Sequence, residues 1–251
     1  MVNASTGGQV NGKADAPSLL VSLSPCPPLF HALTLLQECL KDDPNHIEAL
    51  GCLAAVRSVL GDRDGLAQQA QAMDRPEVAD ARFHYLGAVC HLAACDYPRV
   101  LELAQRAARD ETLATESQYL MAWAHLHLDD AESARRALQK VATAEKSPST
   151  VYARALLGHL GFSHGDYEDA IKWWNQVDAR RRMEWKLDDP LRQTVLLSGL
   201  LAFRKERYEQ AAERFREAGR LGLRDRRLGA LLTLSLVKAG QRLLYQVAGS
   251  K

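Results

Sequence analysis

Long apolar runs are scarce in this sequence, and aromatic residues make up only 6% of it. A helix that crosses a bilayer needs about 20 consecutive apolar residues, and the longest apolar run here is far shorter. Lysine and arginine (32) nearly balance aspartate and glutamate (31), which gives a net charge of +1. The balance argues against an overall binder of polyanions, and a hydrophobic content of 47% argues against a disordered chain. We therefore expect a soluble globular protein with no membrane-spanning helix.

Cysteine is also sparse, and its spacing is irregular. The five cysteines are Cys26, Cys39, Cys52, Cys90 and Cys95. An odd number without a framework of regular spacings favours reduced thiols over disulfides. The sequence therefore predicts a cytoplasmic protein.

Most motifs that mark common enzymes and cofactor sites are missing. The chain has no GxGxxG, P-loop, HExxH or CxxC pattern. His84 and His91 share one helical face, but the neighbouring Cys90 and Cys95 do not lie on it, so a zinc site is not expected there. We predict no catalytic residues, no bound metal and no cofactor, and a protein that is not an enzyme.

What the sequence does contain is a recurring helix-turn-helix pattern. Gly165 and Asp166 separate two apolar helical segments, where they are expected to end the first helix and cap the second. A small residue, Ala170, then lets the two helices cross closely. The same pattern recurs at Gly61-Asp62, Asp96-Tyr97, Asp129-Asp130 and Arg207-Tyr208. The residues that match Ala170 are spaced by 34, 34, 36 and 41 positions: Leu66, Val100, Ala134, Ala170 and Ala211.

This pattern resembles the tetratricopeptide repeat, a two-helix unit of about 34 residues. The family motif has a Leu-Gly or Leu-Ala pair in the middle of its first helix, and the pairs at this place here are Leu53-Ala54, Gly87-Ala88, Met121-Ala122, Leu157-Gly158 and Ser198-Gly199. The motif of its second helix is matched best by Ala170, Trp174 and Val177 and by Ala211, Phe215 and Ala218. The resemblance implies an all-α fold, a right-handed superhelical solenoid of antiparallel helix hairpins.

The pattern divides the chain into three segments. Residues 1–28 are predicted to be a disordered, low-complexity tail, 29–225 a half repeat followed by about five full repeats, and 226–251 a C-terminal capping helix and tail. The last helix is expected to end at Gly240. The inserted segment Arg180–Lys186 either lengthens the second helix of the fourth hairpin or projects as a loop. The apolar patch Leu19–Leu23 either caps the array as a degenerate first helix or occupies its groove.

In the tetratricopeptide family the first helices line a concave groove, so the resemblance also places candidate binding residues. Positions three and four apart on these helices would form an apolar and aromatic surface. The alternative is that the same side chains simply pack, half buried, between neighbouring helices. These positions lack both the lysine, arginine and asparagine set by which tetratricopeptide co-chaperones clamp a C-terminal carboxylate and the asparagine ladder of glycosyltransferase arrays. The candidate groove residues are Tyr85, Val89, Tyr119, Trp123, Leu126, His159, Phe162, Leu200 and Phe203.

These observations favour a scaffold that binds a peptide or helix of another protein. The alternative is a subunit that assembles into a homo-oligomer through its terminal repeats. A nucleic-acid binder has less support, although residues 180–227 hold fourteen basic against eight acidic residues and Arg180, Arg181 and Arg182 could form a basic patch for a partner. A solvated outer face with ion pairs along its helices is the favoured explanation of that charge.

Overall fold

The computed structural model describes residues 27–75, 78–144 and 147–249, and all regular structure in these ranges is α-helical. The helices are α1 (Pro27–Asp42), α2 (Ile47–Leu60), α3 (Arg63–Ala72), α4 (Ala81–Ala93), α5 (Tyr97–Ala107), α6 (Ala114–His127), α7 (Ala131–Ala142), α8 (Ser149–His164), α9 (Tyr167–Asn175), α10 (Ala179–Glu184), α11 (Asp188–Arg204), α12 (Tyr208–Arg220) and α13 (Leu228–Gly249). The predicted all-α repeat solenoid is confirmed. Of the predicted tail 1–28, residues 1–26 with the patch Leu19–Leu23 lie outside the described residues, whereas Pro27 and Pro28 are not tail but the first residues of α1.

Five pairs of consecutive helices form hairpins: α2 with α3, α4 with α5, α6 with α7, α8 with α9, and α11 with α12. The second helix of each hairpin packs on the first helix of the next, and the first helices also pack on one another from α2 to α8. Helix α1 packs on α2 at one end of this stack, and α13 packs on α12 at the other. The apolar core is therefore a row of neighbouring clusters along the array rather than a single central core.

All five hairpins turn at one residue in the left-handed conformation. This residue is Gly61, Cys95, Asp129, Gly165 or Glu206, with φ between 58° and 79°. In each turn the next residue donates its backbone N–H to a carbonyl five positions earlier, at 2.8–3.0 Å. This is the bond that closes a Schellman motif, which ends the first helix and reverses the chain.

An acidic cap stabilises the start of the second helix in the first three hairpins. Asp62, Asp96 and Asp130 each accept a hydrogen bond from a backbone N–H in the first turn of that helix. The same carboxylates lie 3.2–3.7 Å from a nitrogen of the residue five positions earlier, which is Arg57, His91 or His125. The aspartate thus satisfies an exposed helix end and joins it to the preceding helix.

Small residues let the two helices of a hairpin approach closely. Ala134, Ala170 and Ala211 are completely buried at the crossings. In the fourth hairpin the indole of Trp174 fills the space above Gly158, and both residues are buried. The expected close crossing of α8 and α9 is therefore present, and it positions the aromatic side chains described below.

Three local expectations are wrong. The segment after α9 neither lengthens that helix nor remains a loop, because Asp178 caps a separate short helix, α10. Helix α13 does not end at Gly240 but continues to Gly249, since an exposed glycine costs a helix only about 1 kcal/mol relative to alanine. Asp166 does not cap α9 through its side chain, which instead lies 3.1 Å from Arg135 of the preceding hairpin.

Candidate protein-interaction surface

The nine candidate groove residues lie on four first helices: α4, α6, α8 and α11. The side of these helices that carries the nine residues is the first-helix surface. Seven of the nine are half buried: Tyr85, Val89, Tyr119, Trp123, Leu126, Phe162 and Phe203. His159 and Leu200 are exposed. The surface is thus partly used for packing and partly open to solvent.

On α6 the candidate residues belong to a row of contacting rings. Tyr119 meets Trp123 edge to face with ring centroids 6.3 Å apart, and Trp123 is stacked on His127 at 6.0 Å. His127 is stacked in turn on Tyr97 of α5, at 4.6 Å and an interplanar angle of 3°. The four rings form a continuous aromatic strip, called here the α6 strip. It joins the first-helix surface to the turn of the second hairpin.

On α8 the candidate residues surround the buried Trp174. The His159 ring lies edge-on against the indole at 5.2 Å, and Phe162 lies 6.2 Å from it on the same helix. Although part of the His159 ring is exposed, its contact with apolar surroundings lowers its pKa. Neutral His159 therefore extends the apolar and aromatic character of this region.

One aromatic pair beside this surface was not predicted from the sequence. Tyr152, half of whose surface is exposed, is stacked on Trp185 with ring centroids 4.9 Å apart. Trp185 directly follows α10 and packs against the core of the fourth hairpin. The available signal was that Tyr152 lies seven residues before His159, and so on the helical face already assigned to the groove. Its partner could not be foreseen, because that contact depends on how α10 folds back.

One carboxylate lies among the tyrosines of this surface. Glu116 of α6 accepts hydrogen bonds from Ser147 and Ser149, at the start of α8. Burial raises the pKa of Tyr85 and of Tyr119, and the negative charge of Glu116 raises both further. These phenols therefore remain protonated at neutral pH and can donate hydrogen bonds to a bound group.

At the C-terminal end of the surface the candidate residues take part in packing. Phe203 meets Tyr208 at 5.3 Å, and Phe203 also packs with Leu228 of α13 around the core of the fifth hairpin. Leu200 is 38% exposed. This end therefore presents less open aromatic area than α6 and α8 do.

The predicted basic patch is divided between two environments. Arg180 and Arg181 are exposed on α10, and Arg181 lies 3.7 Å from Asp178. Arg182 instead binds Asp188 at 3.1 Å and the carbonyl oxygen of Val177 at 2.9 Å, so it holds α10 between its neighbouring segments. The arginine run does not form one continuous exposed patch.

The histidines and cysteines of α4 have structural surroundings. His91 contacts the cap residue Asp96, and His84 is buried beside Phe83. Burial raises the pKa of the Cys90 thiol to about 11, which makes a thiolate unavailable at neutral pH. Within the described ranges no three metal-ligating side chains are grouped to hold an ion, and no helix is both long and apolar enough to span a membrane.

Comparison with known proteins finds similarity in structure. No protein-family model and no curated protein matches the chain. The crystal structure of MamA superposes with a TM-score of 0.51 and 17% identity, covering 63% of this chain and 91% of MamA. A tetratricopeptide repeat protein from Parabacteroides merdae has a TM-score of 0.49 and 15% identity, covering 83% of this chain and 92% of that protein. A chain of the APC/C hetero-tetramer Cut9-Hcn1 has a TM-score of 0.44 and 14% identity, covering 84% of this chain and 40% of the other.

The likeness to MamA shows the fold, and the fold is the tetratricopeptide-repeat solenoid that the sequence predicts. An identity of 17% carries no information on partners or activity. Any function of this chain must therefore be argued from its own surface.

Proposed function

We propose that this chain, whose fold is that of a tetratricopeptide-repeat array, is a non-enzymatic scaffold that binds a peptide or helix of a partner protein on the first-helix surface. In such arrays the first helices line the concave side, where an extended segment or a helix can lie across several repeats. The exposed thiols Cys39, Cys52 and Cys95 suit a reducing compartment, and we place the protein in the cytoplasm.

The observation that carries this proposal is the α6 strip. Trp123 contacts Tyr119 on one side and His127 on the other, so its ring is held in place while it remains half exposed. Rigid aromatic side chains that lose little freedom on binding are the residues that most often dominate protein interfaces. Phe162 and His159 extend the apolar area on the next first helix. The occupant should therefore present apolar or aromatic side chains at helical or extended spacing.

Site-specific photo-crosslinking tests the proposal. A photoreactive benzoylphenylalanine replaces Leu126, which is half buried on the first-helix surface, or Leu128, which is 44% exposed just after α6. We expect a partner to be captured from cell extract at position 126 and not at position 128. Trp123→Ala should reduce capture at position 126 at least tenfold, because removing a central interface aromatic typically costs 2 kcal/mol or more.

Two controls separate binding from folding. Leu236→Ala removes an apolar side chain from α13 that is 44% exposed and lies outside the first-helix surface, and it should leave capture unchanged. Circular dichroism must show equal helix content for Trp123→Ala and the parent chain. Equal capture at both positions, or capture that persists in a correctly folded Trp123→Ala variant, would show that the first-helix surface is not the binding site.

A further inference from the structure

Both ends of the array are half hairpins. Helix α1 occupies the position of a second helix, because it packs on the first helix α2 just as α3 packs on α4. Within the described residues no first helix precedes it. Helix α13 occupies the position of a first helix, because it packs on α12 as α11 packs on α9, and no second helix follows it in the described ranges. Among the described residues, each end thus has the half of a hairpin that the other end is without.

The face of α1 that would meet a first helix is open. Ala32, Leu36 and Cys39 lie 34 positions before Leu66, Ala70 and Met73, which face α2 in the first hairpin. In all five complete hairpins the residues at these three positions are at most 5% exposed. In α1, however, Ala32 and Leu36 are only half buried, and Cys39 is exposed. In the part of the chain that the structure describes, no first helix covers this face of α1.

The matching face of α13 is open as well. Leu228, Leu231 and Leu232 of α13 pack on the fifth hairpin and Ser235 is completely buried, and these four lie 37 positions after Leu191, Thr194, Val195 and Ser198, which are buried in α11. In this register Leu236 takes the position of Gly199, which is buried against Phe215 of α12. Leu236, however, is 44% exposed. The free side is therefore the one on which a second helix would lie.

The two ends carry opposite charge. Residues 226–251 contain five basic residues and no acidic one. Residues 27–48 contain Glu38, Asp42, Asp43 and Glu48 against the single basic residue Lys41, apart from histidines. Opposite charge at the two ends of the array favours contact between unlike ends and disfavours contact between like ends.

We propose that α13 of one copy packs on α1 of a second copy, so that the two form a composite hairpin across the junction. Leu236 of one copy then lies against Ala32, Leu36 and Cys39 of the next. The contact is heterologous, since different surfaces meet, and it leaves one free α1 and one free α13 in every open chain of copies. The protein therefore grows head to tail into chains or closed rings.

Sedimentation of the full chain over a wide concentration range tests the proposal. We expect species larger than a dimer to appear as the concentration rises. Leu236→Glu places a charge on the free face of α13, and Cys39→Glu does so on the free face of α1, both at exposed positions where folding should be unaffected. Each variant alone should remain monomeric. An equimolar mixture should form dimers and stop there, because it contains one intact pair of ends.

The matched control is Leu128→Glu, which changes an equally exposed leucine at a hairpin turn and should assemble like the parent chain. A parent chain that stays monomeric at all concentrations would overturn the proposal, as would a Cys39→Glu variant that still dimerises through α13 alone. If self-association appears only after residues 1–26 are removed, that segment and not a second copy covers α1. The proposal fails in that case also. None of these outcomes depends on the first-helix surface, so the partner-binding proposal is tested independently.

Discussion

The indole Nε1 of Trp174 donates a hydrogen bond of 3.1 Å to the carbonyl oxygen of Ala155, across the crossing of α8 and α9. This bond satisfies the polar atom of a completely buried ring and fixes the ring's orientation. The ring lies over Gly158, where an added Cβ would stand 2.3 Å from Nε1. The crossing therefore depends on glycine at that position.

We predict that Gly158→Ala destabilises the protein by about 1–3 kcal/mol, the usual cost of overpacking a core. The indole is held on all sides and cannot move without losing its hydrogen bond, so the clash cannot be relieved cheaply. Urea unfolding followed by circular dichroism measures the change. Gly240→Ala is the matched control, because nothing lies within 4 Å of its added Cβ in α13. It should instead stabilise by about 0.5–1 kcal/mol, and a loss of stability at both sites would contradict the steric explanation.

The left-handed turn residues supply the second prediction. Glu206 turns the fifth hairpin with φ at 59°, a conformation that costs residues with a Cβ about 1–2 kcal/mol. Glu206→Gly should therefore stabilise the protein by up to about 1 kcal/mol, measured by the same urea unfolding. Gly165→Ala, at the equivalent turn with φ at 79°, should destabilise it by a similar amount. Changes of the same sign at the two positions would show that the turn conformation does not control stability.

The parts of the fold that repeat were predictable, because each repeat carries its own local signal. Five turns and the regular spacing of five crossing residues, three of them alanine, predicted the number of hairpins and their register. The use of Cys95 and Glu206 in the left-handed conformation was not predictable from local preference. At these positions the packing of the hairpin outweighs the backbone cost.

The parts that do not repeat were predicted poorly. The insertion before α11 has no counterpart in the other hairpins, and whether Trp185 lies on Tyr152 depends on tertiary contacts of α10 alone. His127 was not foreseen as part of the aromatic strip, since its stacking on Tyr97 joins two hairpins. Contacts between distant residues leave no periodic signal in the sequence. The helical positions of the groove residues followed from spacing, but their exposure did not.

His84 supplies a prediction about pH. Burial lowers its pKa, and the nearby positive charge of Arg106 lowers it further. Because the folded pKa lies below the unfolded value of about 6.5, the unfolded chain binds a proton first as the pH falls. Stability should thus be complete above pH 7 and decline as the pH falls through 6.5 toward 5. His84→Gln should show a shallower decline in melting temperature over this window.

The packing cost of His84→Gln must be separated from the effect of protonating His84. Measurements at pH 8, where the parent histidine is uncharged, give the packing cost of His84→Gln by itself. Subtracting that cost leaves the contribution of the proton. If the parent and the variant lose stability in parallel between pH 7 and 5, the buried histidine does not govern this transition.

The last prediction concerns the joint between the fourth and fifth hairpins, where the insertion of α10 lengthens the repeat. Glu168 at the start of α9 accepts hydrogen bonds from Ser198 of α11 and Arg214 of α12, with Arg214 Nε at 3.1 Å. Burial disfavours the Glu168 carboxylate, but the two donors outweigh it and hold its pKa below the usual range. The ionised carboxylate therefore links three helices across this joint.

A double-mutant cycle with Glu168→Gln and Arg214→Met should give a coupling free energy of about 0.5–1 kcal/mol. This lies in the upper part of the range measured for exposed ion pairs, because the pair at Glu168 is only partly exposed. Since the folded pKa of Glu168 is lowered, its stabilising contribution is present above the unfolded value of about 4.5 and lost as the pH falls below it. The same cycle at pH 3.5 should therefore give a smaller coupling. Asp225 with Arg227 is the control, because Arg227 is 83% exposed and the two residues lie close in one turn. A coupling at Glu168 no larger than at Asp225, or one unchanged at pH 3.5, would show that this ion pair does not hold the joint together.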